Sequence, residues 1–176
     1  PLRAKEHQEA IWQGIKDGTL QVIATDHCSF DFHGDKQNGK DDFTKCPNGA
    51  PGVETRMPIV FSEGVSKGRL SLNEFAAVTS TNPAKIFGMY PKKGVLAPGS
   101  DADIVLMNPD MEVTITKNIL HENVDYTPYE GIQVKGWPVM TMVRGQAVVE
   151  NERLQVPLGF GRYINRKPVK YTELLK

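Results

Sequence analysis

A change of pattern near residue 92 constrains this chain more than any other feature. Before it, apolar residues recur at helical spacing and the segments close on glycines. After it, short apolar runs alternate with turns and helix signals almost vanish. Residues 5–17 carry the stripe Ala10, Ile11, Trp12 and Ile15, with Gly18 where a helix-ending glycine belongs. Leu20-Gln21-Val22-Ile23-Ala24-Thr25 reads as a short buried strand ending at Asp26, and helix followed by strand is the rhythm of an α/β chain. Residues 54–67 read as a second helix, with Pro58 in its first turn or at a kink and Gly68 at its end. Ser71-Leu72-Asn73-Glu74 is a capping box. Thr81-Asn82-Pro83-Ala84 predicts a new helix start, capped by Asn82 with Pro83 first, running out at Gly88. Past the turn signal Pro98-Gly99, residues 103–107 read as a strand and residues 139–150 as a hairpin turning at Arg144-Gly145. The division expected is an α/β part over residues 1–92, a β part over 93–158 and a basic arm over 159–176.

Composition excludes several classes. Lys+Arg and Asp+Glu balance at 21 each, so neither nucleic acid nor an anionic membrane is an expected partner. No apolar run approaches the ~20 residues of a membrane helix. The sequence starts at Pro1 without Met and shows no apolar signal-peptide stretch. Two cysteines, Cys28 and Cys46, make no disulfide framework, and a cytoplasmic location is the expectation. The 176 residues can bury roughly 70% of their unfolded surface. They fall short of the about 250 residues of a complete (β/α)8 barrel.

Chemistry concentrates around Asp26 and in the polar stretch 29–52, which has no sustained periodicity; loops longer than ~15 residues are usually functional or disordered. An Asp at the end of a strand can ligate a cation and accept a proton from water, or can simply cap the next turn. Adjacent strand residues face opposite ways, so Asp26, His27 and Cys28 are not expected to share one metal, and His27 reads as a buried or loop-facing histidine. The four histidines, His7, His27, His33 and His121, form neither HxH nor HExxH, so no self-sufficient zinc site is expected. The stiff segment Lys45-Cys46-Pro47-Asn48-Gly49-Ala50-Pro51-Gly52 has two readings. Asn48 offers a donor and an acceptor in one plane for a planar amide, or the segment is a tight Asn-Gly turn. No G-x-S-x-G nucleophile motif occurs.

Several segments resemble the C-terminal portion of the dihydropyrimidinase/D-hydantoinase group of cyclic amidohydrolases. They are Ala24-Thr25-Asp26-His27-Cys28-Ser29-Phe30, Lys40-Asp41-Asp42-Phe43-Thr44-Lys45-Cys46-Pro47-Asn48-Gly49 and Gly52-Val53-Glu54-Thr55-Arg56-Met57. Residues 79–88, 93–103 and 124–131 fit as well. The resemblance runs nearly end to end, and its most specific element is the DDFTK-x-PNG loop.

The resemblance implies the last part of a (β/α)8 metal-dependent hydrolase barrel followed by a small β-sandwich segment. It implies hydrolytic ring opening of cyclic amides or imides, 5,6-dihydropyrimidines or 5-substituted hydantoins, with a place in pyrimidine catabolism. It implies two zinc ions, with Asp26 as metal ligand and catalytic proton shuttle and Asn48 as a substrate-binding residue. The family's HxH pair, carboxylated lysine, two further histidines and a substrate-contacting serine have no counterpart after Pro1. The chain alone is therefore expected to hold no zinc and to be inactive. Relatives are typically homotetramers, and the arm, with Tyr163, Ile164, Val169 and Tyr171, is expected to pack on a neighbouring subunit. A non-catalytic amidohydrolase-like scaffold is the alternative, and an independent interaction module a more distant one.

Overall fold

In the computed structural model, which describes residues 3–169, a helical half precedes a four-stranded antiparallel sheet. Helix α1 (Gln8–Lys16) buries Ile15 and stops at Gly18, whose φ of 78° is the left-handed value a helix-ending glycine supplies. Helix α2 (Arg56–Val60) carries Pro58 in its first turn and widens into a π-helical stretch over Phe61–Ser66. Helix α3 (Leu72–Ala76) begins at the expected capping box. The Glu74 amide donates to Ser71 Oγ at 3.2 Å, and the Ser71 amide donates to Glu74 Oε2 at 2.7 Å.

Two expectations change. No helix starts afresh at Asn82: the backbone runs from α3 through a π turn at Ala77–Thr81 directly into α4 (Asn82–Ile86). The wide turn accommodates Pro83, which has no N–H to give, and the Asn82 side chain donates to Gln21 O at 2.9 Å instead of capping. Residues 20–25 are extended but enter no ladder, and Leu20 is exposed. A strand needs a neighbouring edge, and among the described residues this segment has only single contacts, such as the Ile23 amide donating to Val78 O at 3.2 Å.

The sheet is a meander in the order β1 (Ile104–Thr114), β2 (Gln133–Val143), β3 (Gln146–Glu150), β4 (Arg153–Leu154). The β2–β3 hairpin turns at Arg144-Gly145 as expected; both have positive φ, 52° and 79°, the backbone of a two-residue type I′ turn. The second turn repeats the device at Asn151 and Glu152, with φ of 48° and 61°. One core cluster joins the sheet region to α2: Ile115, Leu120, Val134 and Trp137, with Ile59 and Tyr129 against them. Two others sit among the helices, Ile15 with Leu70 and Val78, and Val60 with Phe61 and Phe75; Ile23 of the extended segment touches both. Gly136 makes the sheet–helix approach possible, since a Cβ there would lie 2.1 Å from the Phe61 ring.

The described part of the arm runs back over its own chain. The Lys167 amide donates to Gly88 O at 3.0 Å, and Phe160 stacks under the Arg144 guanidinium at 4.5 Å. Tyr171 lies outside the described residues.

Candidate active site

The extended segment 20–25 delivers Asp26 to the surface with φ of 50°, a left-handed backbone rare outside glycine and tolerated best by Asp and Asn. The chain then turns alongside residues 50–53. The Cys28 amide donates to Ala50 O at 3.1 Å, and His27 and Ala50 form a single parallel bridge. Asp26 precedes that bridge by one residue on its strand, and Asn48 precedes it by two on the other. The two candidate residues are therefore brought to neighbouring segments by backbone pairing. Gly49 fits this approach because a Cβ there would lie 2.4 Å from Cys28 Cβ, and its φ of 110° disfavours any side chain.

Behind this junction lies a polar brace that no local pattern announced. His27 Nδ1 accepts from the amides of Gly52 and Val53 at 3.1 and 3.3 Å. Glu54 Oε2 accepts from the amides of His121 and Glu122 at 2.7 and 3.2 Å, while Glu122 Oε1 accepts from the Glu54 amide at 3.1 Å. The Glu122 carboxylate is 5% exposed, and its Oε2 has no hydrogen-bond partner among the described residues. His121 places both ring nitrogens against acceptors, Nδ1 on Glu54 Oε1 at 2.7 Å and Nε2 on Glu152 O at 3.1 Å. The bond to Glu54 and the charge of that carboxylate hold the His121 pKa above its ordinary value. A second brace holds the start of the polar loop. Asp125 accepts from the amides of Phe32 and His33 at 2.6 and 2.9 Å, which lowers its pKa, the His33 contact contributing most. Its own amide donates to Asp31 Oδ1 at 3.2 Å.

Helical structure in the polar loop is limited to two short 3₁₀ turns, Lys36–Gly39 and Phe43–Lys45; Asp42 caps the second by accepting from the Thr44 amide at 3.1 Å. Both cysteines are free thiols. A cavity of about 550 Å³ lies against the brace, lined by Glu54 and His121 with Met57, Trp137, Met140 and Leu154, and neither Asp26 nor Asn48 lines it. Among the described residues, no three His, Cys, Asp or Glu side chains gather as a metal centre, and no helix is long and apolar enough to cross a membrane. The Asp26 carboxylate is exposed, and a metal held by it would need its further ligands from other residues.

Comparison with known proteins gives this arrangement relatives. The amidohydrolase family profile matches residues 2–148. A D-hydantoinase of Geobacillus stearothermophilus is 48% identical over 99% of this chain, and a D-phenylhydantoinase of Escherichia coli O1:K1 / APEC is 46% identical over 96%. The chain spans 37% and 36% of their respective lengths. Among solved structures, the dihydropyrimidinase from Brevibacillus agri NCHU1002 superposes with a TM-score of 0.94 at 50% identity, covering 97% of this chain and 37% of that one. The L-hydantoinase from Arthrobacter aurescens superposes at 0.85 with 38% identity, covering 94% and 37%. The likeness to hydantoinases and dihydropyrimidinases thus extends from the loop motifs to the whole described fold, and the chain belongs to the amidohydrolase family.

Proposed function

We propose that the full-length protein containing this chain opens the ring of a cyclic amide or imide, a 5,6-dihydropyrimidine or a 5-substituted hydantoin, by hydrolysis. The observation that carries this reading is the backbone pairing that sets Asp26, in its left-handed conformation, beside the Asn48 loop. The names of the relatives support the substrate class.

In this reading residues 1–92 are the last part of a (β/α)8 barrel. Residues 93–158 are a segment of a small β-sandwich, and residues 159–176 an arm at a subunit contact in a cytoplasmic homotetramer. Asp26 would be one ligand of a two-zinc centre, with a carboxylated lysine and histidines from outside this chain as the others. Zinc held there would supply a water of near-neutral pKa and polarisation of the carbonyl. Asp26 takes the proton of the attacking water and delivers it to the ring nitrogen as the C–N bond breaks, acting first as general base and then as general acid. Asn48 orients the ring, its amide N–H donating to a ring carbonyl and its carbonyl accepting from a ring N–H.

The test is a ring-opening assay on the full-length protein with dihydrouracil and a 5-substituted hydantoin, together with zinc analysis. Ring opening with two zinc ions per chain is expected. A zinc-free protein that opens neither ring overturns the proposal and favours the scaffold alternative.

A further inference from the structure

Asn48 carries the proposed recognition of the ring, yet the loop that holds it has almost no regular structure of its own. One side chain spans the segment around Asn48. The Lys36 ammonium donates to Pro47 O and to Gly49 O, each at 2.5 Å, so one cation holds the peptide carbonyls on both sides of Asn48. Bonds from a charged donor are stronger than neutral ones, and two from one ammonium fix the separation and direction of the carbonyls. The side chain is half-buried, with its ammonium 5.5 Å from the centre of the Phe30 ring.

The base of Lys36 is anchored as firmly as its tip. Its amide donates to Asp31 O at 3.1 Å, and the next amide donates to Phe32 O at 3.2 Å. The 31–33 segment is in turn pinned by the Asp125 carboxylate through the Phe32 and His33 amides. On its far side the Asn48 segment rests on Cys28 through Gly49. The segment is therefore clamped between the residues that follow Asp26 and a cation whose own backbone is fixed from Asp125. A compact ammonium suits this place, because two of its three donors reach two carbonyls from one point, whereas a planar guanidinium fans its donors apart.

We propose that Lys36 is a positioning residue for substrate binding: by holding Pro47 O and Gly49 O it sets the orientation in which Asn48 meets the ring amide. This inference rests on the proposed cyclic-amide hydrolysis. It predicts that Lys36 acts through Asn48 and through nothing else in the reaction.

The test uses the zinc-loaded full-length protein and one hydantoin, with Lys36→Met, Lys36→Gln, Asn48→Ala and the Lys36→Met/Asn48→Ala double variant. Lys36→Met is expected to raise KM about tenfold while changing kcat less than about twofold, the signature of lost binding orientation. Lys36→Gln keeps a donor for one carbonyl and is expected to fall between; it carries the same cycle should Lys36→Met not fold. In the Asn48→Ala background the Lys36 change is expected to alter KM by less than about twofold, because the residue it positions is gone. Amide hydrogen exchange in the peptide spanning residues 44–53, read without any activity, should speed up in the Lys36 variants. An active wild type with unchanged KM in Lys36→Met, KM factors that multiply in the double variant, or unchanged exchange overturns the inference. A wild type that opens no ring overturns the proposed function itself.

Discussion

Within the paired strands β1 to β4 most of the backbone is satisfied by ladder bonds, whereas between Asp26 and Glu54, and in the 121–125 connection that faces it, amides depend on side chains from far along the chain. In the sheet, Ile104 pairs with Met142 and Val143 with Gln146, and the turns are closed by two-residue positive-φ pairs. In the loops, the Phe32 amide is bound by Asp125, 93 positions away, and the Glu54 amide by Glu122, 68 positions away. The sheet region buries Ile115 completely, while Phe43, in the loop that carries Asn48, is 85% exposed. One region holds its shape by burial and ladder bonds, and it lends three side chains, His121, Glu122 and Asp125, to the edge of the other. Precision in the site loops thus comes from polar cross-links attached to a stable sheet, which leaves Asp26 and Asn48 open to a ligand.

The comparison breaks most sharply at Asp26. In the full-length protein Asp26→Asn should lower kcat by about 10²–10⁴, the usual loss for a general acid–base group, with most of the zinc retained. Near-wild-type kcat with full zinc would remove Asp26 as proton shuttle. The complementary change in the sheet region is Ile115→Ala, which should cost about 2–5 kcal/mol by denaturant unfolding while leaving KM unchanged. A raised KM there would show that the sheet and the site are not separable.

Glu54→Ala tests the link between the two. Its carboxylate accepts from the His121 amide, the Glu122 amide and the His121 ring, so its loss should cost about 1–3 kcal/mol and also raise KM through the neighbouring 52–53 amides that hold His27. Stability loss without any kinetic change would confine the brace to a structural role.

What the sequence disclosed follows the same division. The capping box at Ser71, the helix end at Gly18 and the turn at Arg144-Gly145 depend on residues within four positions of one another, and all three are where they were expected. Asp26 and Asn48 are singled out only by family motifs, since strand–Asp–turn and Asn-Gly have common structural explanations. The braces were not legible. Asp125, Glu122 and Lys36 are ordinary polar residues until the fold brings them to amides and carbonyls well removed in sequence. The segment 20–25 misled for a related reason: β-propensity identifies a residue type suited to a strand, not the presence of the edge it must join.

The smallest expected effect is the pH dependence of the His121 clamp. Only the protonated ring donates from both nitrogens, to Glu54 and to Glu152 O. Because its folded pKa is raised, the stabilisation is full below the unfolded value of about 6.5 and is lost as pH rises through the higher folded value. His121→Gln should therefore destabilise by about 0.2–1 kcal/mol at pH 5 to 6, the range of exposed ion pairs, and progressively less toward pH 9. A difference that grows with pH would refute the clamp.

The most direct test of the site is a crystal structure of the zinc-loaded full-length protein with a non-hydrolysed ring analogue. The expected result is an Asp26 carboxylate oxygen about 2.0–2.2 Å from zinc. The Asn48 side chain is expected at about 2.7–3.2 Å from the ring amide. A zinc centre completed without Asp26, or a ring bound with Asn48 beyond hydrogen-bond reach, would contradict it.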